Sequence, residues 1–171
     1  HCAAALFQDD VCRAARFEPM ARGQAEALMP LLEALLTETG AGWGDLTALG
    51  VGVGPGNFTG VRIAVAAARG LALALNVPAI GVSAFDLIRD PTGPGAHPAE
   101  IVSVPAPREM AYVQPYRHGT PRAAPRMIDP ARPPVDLRLP ANMRVTGHRA
   151  AEIARAFDAE ADPREIADIP C

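Results

Sequence analysis

One stretch constrains this chain more than any other: Gly50-Val51-Gly52-Val53-Gly54-Pro55-Gly56-Asn57-Phe58-Thr59-Gly60-Val61-Arg62-Ile63-Ala64. Its alternating valines and glycines predict a strand over Leu49 to Val53, with glycines that let another backbone come close. Gly54-Pro55-Gly56 forces a turn. A helix then opens on Thr59-Gly60 and runs to Leu75, where Asn76-Val77-Pro78 stops it. That helix is apolar almost all the way round, so a single core face cannot cover it. Ala64, Ala67, Ala68, Gly70 and Ala72 are small enough for a second helix to come close.

A strand, a glycine turn and a helix N-terminus together favour an anion, because free backbone N–H groups and the helix dipole point at it. Gly54, Gly56, Thr59 and Gly60 are therefore candidates for a phosphate turn. The specific fingerprints fail. Thr59 stands where G-x-G-x-x-G needs its third glycine, and the chain has no lysine for a P-loop. A phosphate site and a plain tight turn both stay open on spacing alone.

At 171 residues and 49% hydrophobic, the chain is long enough for a core and too apolar for disorder. The net charge of −3, without a compensating basic cluster, argues against a surface that grips nucleic acid on its own. Cys2, Cys12 and Cys171 form no Cys-x-x-Cys pattern, and reduced cysteines in a cytoplasmic protein are the expectation. No signal peptide is seen. The richest apolar run, Val61 to Leu75, carries Arg62 and Arg69 and is too short for a membrane span.

In chain order, Cys2–Phe7 and Val11–Phe17 predict a hairpin around Gln8-Asp9-Asp10. Gln24–Thr39 predicts an amphipathic helix, with Ala25, Leu28, Leu32, Leu35 and Leu36 at helical spacing. Pro30 should kink it or delay its start, and Gly40 should end it. Ala79–Val82 reads as a strand. Ser83 caps a short helix over Ala84–Ile88, with Asp86 at its third position. Residues 89–98, with Pro91, Gly93, Pro94, Gly95 and Pro98, form the loop between an N-terminal lobe, 1–90, and a proline-rich C-terminal lobe, 99–171. In the latter, Glu100–Val104, Ala111–Tyr116 and Met143–Val145 read as strands and Arg149–Phe157 as a helix. Arg117–Pro140 reads as loop with an extended piece at Arg126–Ile128. A further short helix is expected at Pro163–Ala167. Helices alternating with strands, then clustered strands, give an α/β fold with mixed sheets.

No catalytic constellation emerges. His1, His97, His118 and His148 make no metal spacing or triad. Ser83 and Ser103, the only serines, lie outside G-x-S-x-G. The carboxylates are scattered, and Asp86 and Glu109 cannot be brought together from sequence.

Gly54-Pro-Gly-Asn-Phe-Thr-Gly-Val-Arg-Ile-Ala, then Ala68-Arg69-Gly70-Leu71-Ala72-Leu73-Ala74 and Gly81-Val82-Ser83, resembles the bacterial TsaB (YeaZ) family. There the pattern is G-P-G-S-F-T-G-L-R-I-G, A-K-G-L-A-L-A and G-V-S-S. Asn57, Val61 and Arg69 replace serine, leucine and lysine. Gln24-Ala-Glu-Ala-Leu-Met-Pro-Leu-Leu is similar to the family's first helix. Ala106, Arg108, Tyr112, Val113 and Gln114 match a D-A-R-R-G-E-V-Y-V-Q pattern, from which Pro105, Pro107 and Glu109 depart. Val145-Thr146-Gly147 matches a late V-T-G. The family's opening Asp-Thr-Ser strand, which would lie just before His1, is not found. Its proline-leucine-tyrosine-leucine-arginine tail segment is not found after Cys171.

The resemblance implies an RNase H-like, actin-like ATPase (ASKHA) fold of two small lobes. It implies a non-catalytic scaffold in the synthesis of threonylcarbamoyladenosine on tRNA. The scaffold would bind a TsaD-type paralogue through its first two helices, with a TsaE-type ATPase joining. The chain would pair with itself when alone and reach tRNA only through the complex. The interface residues it implies are Leu28, Leu32, Val61, Val65, Ala68, Arg69 and Ala72. No catalytic residue, no metal, no tightly bound cofactor and no membrane are expected, with ATP at the partner interface. The alternatives are a stand-alone nucleotide-binding ATPase or kinase of the same superfold, and a peptidase acting on the paralogue.

Overall fold

The computed structural model describes residues 1–89, 97–138 and 142–164. The chain forms two compact units. The first holds residues 1–53 and 57–82; the second holds 54–56 and the described residues from Ser83 onward. The short helix after Ser83 thus falls in the second unit, ahead of the 89–98 loop. Residues 90–96 of that loop lie outside the described residues.

In the first unit, β1 (Cys2–Gln8) and β2 (Val11–Glu18) form the expected antiparallel hairpin. Asp9 and Asp10 both take positive φ, which a two-residue hairpin turn requires and short polar side chains tolerate. Helix α1 (Gln24–Thr39) buries Leu31, Leu35 and Leu36. Leu31 and Leu35 meet Cys2, with Ala4, Ala14, Met20 and Leu28 packed around them. Pro30 does not delay this helix, which is continuous from Gln24. Both Pro30 and Glu26, whose carbonyl loses its bond there, are exposed, so water can replace that bond. Gly40 ends α1 in the left-handed conformation. Cys2 is free and buried, whereas Cys12 is disulfide-bonded, against the expectation of reduced cysteines.

Strands β3 (Leu49–Gly52) and β4 (Ala79–Val82) pair in parallel, and α2 (Phe58–Leu75) crosses between them. Gly81 has a packing reason. A Cβ there would lie 2.9 Å from Cγ1 of Val53.

In the second unit, β5 (Ala99–Pro105) is central and almost wholly buried. It pairs antiparallel with β6 (Ala111–Arg117) and parallel with β9 (Met143–Gly147). β7 (Thr120–Pro121) and β8 (Arg126–Ile128) pair with β6, and β10 (Glu160–Asp162) pairs in parallel with β9. The sheet is therefore mixed, in the order β10-β9-β5-β6-β7. Helix α4 (Ala150–Phe157) covers one face through Ile153, Ala154 and Phe157 over Ile101, Val113 and Val145. Helix α3 (Ala84–Ile88) covers the other through Phe85 and Ile88 over Val102, Val104 and Tyr116. Ser83 caps α3, accepting from the Asp86 amide at 3.1 Å.

β10 is missed by sequence pattern because Glu-Ala-Asp has no apolar alternation; backbone pairing alone carries it. Of the helix expected at Pro163–Ala167, Pro163 and Arg164 are not helical. The remainder lies outside the described residues.

Candidate functional site

The site grows from the turn between β3 and α2. Gly54 has a φ of 83°, and its carbonyl accepts from the Ala84 amide at 2.8 Å. The peptide bond between Gly54 and Pro55 is cis. Helix α2 starts at Phe58, one residue before the expected Thr59, because Asn57 supplies its cap. The Asn57 Oδ1 accepts from the Gly60 amide at 2.9 Å. One of the N–H groups that a phosphate would need is thus already bonded. Gly56 and Thr59 are exposed, Gly54 and Gly60 half-buried.

Along α2, the predicted interface residues divide by helical face. Ala68 is the one buried residue of the helix. Val61, Val65 and Ala72 are half-buried on the same side, at spacings of four, three and four residues. That side serves packing on β3, β4 and α1. Arg69 is exposed. On α1, Leu28 packs against the hairpin core and Leu32 is half-buried.

The face open to solvent is a row of Phe58, Arg62, Ala66, Arg69 and Leu73, of which only Arg69 is among the interface residues expected from sequence. Leu73 is 85% exposed and Phe58 67%. The Arg62 guanidinium lies 3.6 Å over the Phe58 ring, which shields the ring and fixes the arginine. The signal for this row is its own spacing of four, four, three and four residues, counted from Phe58. It is hidden in a helix whose opposite face is equally apolar.

By length and composition, α2 is also long and apolar enough to cross a membrane. It is longer than the run counted from sequence because the cap admits Phe58 to Gly60. Arg69, near its middle, would cost about 3 kcal/mol at a bilayer centre.

The polar groups of the second unit are organised for structure. Glu100 is 1% exposed. It accepts from Thr146 Oγ1 at 2.6 Å and from Arg144 Nη2 at 3.3 Å, with Arg89 Nε at 3.6 Å. Arg89 also lies over the Tyr116 ring. Burial, and then Asp86, push the Tyr116 phenol up to about 12. Ser103 is wholly buried in β5, out of reach of a substrate. Asp86 pairs with Ser83 and Arg89, while the Glu109 carbonyl accepts from Arg149. Among the described residues, no three His, Cys, Asp or Glu side chains come together to hold a metal.

Residues 18–145 match the family model described as TsaD, tRNA N6-adenosine threonylcarbamoyltransferase. The chain belongs to the TsaD family. Within that family it groups with the TsaB (YeaZ) members. It is 43% identical to the tRNA threonylcarbamoyladenosine biosynthesis protein TsaB of Escherichia coli over 82 residues, 48% of this chain and 35% of that protein. It is 37% identical to the TsaB of Haemophilus influenzae over 62 residues, 36% of this chain and 26% of that protein. The matches thus span about a third or less of those relatives. The solved YeaZ from Pseudomonas aeruginosa superposes with a TM-score of 0.69 at 27% identity. That match covers 98% of this chain and 83% of the other. The α/β, actin-like ATPase (ASKHA) fold implied by the resemblance to the TsaB (YeaZ) family is the fold these matches support.

Proposed function

We propose that the chain is a non-catalytic scaffold subunit in the synthesis of threonylcarbamoyladenosine on tRNA, and that it works by binding and supporting a TsaD-type transferase. The observation that carries this reading is α2. Its inner side is used by the fold, yet Phe58, Ala66 and Leu73 remain open to water, with Arg62 and Arg69 interspersed among them. An apolar row interleaved with arginines has the make-up of a protein interface centre. The names of the relatives supply the pathway, and the family supplies the occupant, a paralogue of the same fold.

In this reading the chain acts in the cytoplasm. It pairs with itself through the same face when no paralogue is present, and a TsaE-type ATPase joins the assembly. ATP sits at the shared surface and is not held tightly by the chain alone; the Gly54–Gly60 turn, with Gly56 and Thr59 exposed, is where its phosphates would approach. Contact with tRNA is made only within the complex.

The test is to assay threonylcarbamoyladenosine on tRNA treated with a TsaD-type transferase and its donor, with and without the chain. Modification should require the chain, and the chain alone should make none. Equal modification without it, or modification by the chain alone, contradicts the scaffold role.

A further inference from the structure

We propose that an arginine row on the outer edge of the second unit's sheet contacts RNA backbone phosphates. This rests on the chain's place in a tRNA-modifying assembly. Residues 117–138 carry five arginines and two carboxylates, in a chain whose net charge is −3. Both carboxylates are taken. Asp136 accepts from both terminal nitrogens of Arg126, at 2.8 and 2.9 Å, and Asp129 pairs with Arg132 at 3.7 Å. Arg117, Arg122 and Arg138 are exposed, with no acidic partner among the described residues.

Strand register puts the charges in a row. The Arg122 amide donates to the Pro115 carbonyl at 2.8 Å, which sets Arg122 opposite Pro115. Arg117 is two residues further along β6 and so lies on the same face. Arg126 is the register partner of Val113, again on that face. Arg117 and Arg122 are diagonal neighbours, about 7 Å apart at Cα. That separation suits two successive phosphates of one strand, and a guanidinium fork binds a phosphate through two parallel N–H groups. β7 is the last strand of the sheet, so a long polyanion can lie along the row without meeting a neighbouring strand. The short row and the negative whole chain make this a contributing contact within the assembly, not a surface that holds RNA alone.

The experiment uses the assembly of this chain with a TsaD-type transferase. Affinity for tRNA is measured by fluorescence anisotropy between about 50 and about 200 mM salt. The chains compared are the wild type, Arg117→Ala/Arg122→Ala and Arg117→Lys/Arg122→Lys, each checked by circular dichroism. The alanine pair should weaken tRNA binding about tenfold at low salt and reduce the salt slope by about 2, while the lysine pair keeps most of both. A folded, assembled alanine pair with wild-type affinity and slope overturns the proposal. So does a loss of transferase binding in place of tRNA binding, which would mark the row as a protein contact. If the wild-type chain and transferase never assemble, the scaffold reading itself fails and the row loses its role with it.

Discussion

Gly147 is the position where a single atom should matter most. Its φ is 104°, and a Cβ there would collide with the carbonyl oxygen of Ser103 and lie 2.9 Å from Ile88. Gly147→Ala should therefore cost about 3 kcal/mol or more, read as a lowered denaturation midpoint. Ser103 offers the opposite sign. Its buried hydroxyl has no hydrogen-bond partner among the described residues, so Ser103→Ala should leave stability unchanged or raise it by about 1 kcal/mol. Tyr116 supplies a pH test. The folded chain holds its phenol proton more tightly than the unfolded chain, whose tyrosines titrate near 10.0. Its contribution is intact below about pH 10 and is lost as the pH climbs to about 12, amounting to roughly 2–3 kcal/mol. Tyr116→Phe should remove that alkaline loss, at the cost of the 2.9 Å bond to Gln114. Thr146-Gly147 is visible in the sequence as a motif, but the reason for its glycine is not. That reason is the Ser103 carbonyl, 44 positions away along the chain.

At the scale of elements, capping chemistry sets where α2 begins. Asn57→Ala should destabilise the first turn of α2 by about 1 kcal/mol, and amide exchange at Gly60 should report it first. Most elements are legible because their signals are local. Asp9-Asp10 marks a turn, leucine spacing marks α1, and Ser83 with Asp86 marks α3. The failures have physical causes. Spacing points to a helix start at Thr59 because the cap, Asn57, stands where the family carries serine and its Oδ1 bond to the Gly60 amide is not visible in sequence. Strand β10 is an edge strand of polar residues whose pairing partner is distant in sequence. The candidate interface was only half legible. A helix apolar on every side shows that something must cover it, but not which side the fold itself uses. Ala68, chosen from sequence as an interface residue, is buried within the fold, so Ala68→Arg would disturb packing before it tested a partner.

For the molecule as a whole, the Phe58–Leu73 face of α2 is the surface proposed to bind a TsaD-type paralogue. Ala66 and Leu73 are exposed, so arginine at either leaves the fold intact. The deciding measurement is calorimetric binding of the transferase to the wild type, Ala66→Arg and Leu73→Arg, with helix content checked in each. A centrally placed arginine should weaken the complex by about 2 kcal/mol or more, roughly thirtyfold. Wild-type affinity in both folded variants, or no binding by the wild type, would contradict docking of the transferase on this face.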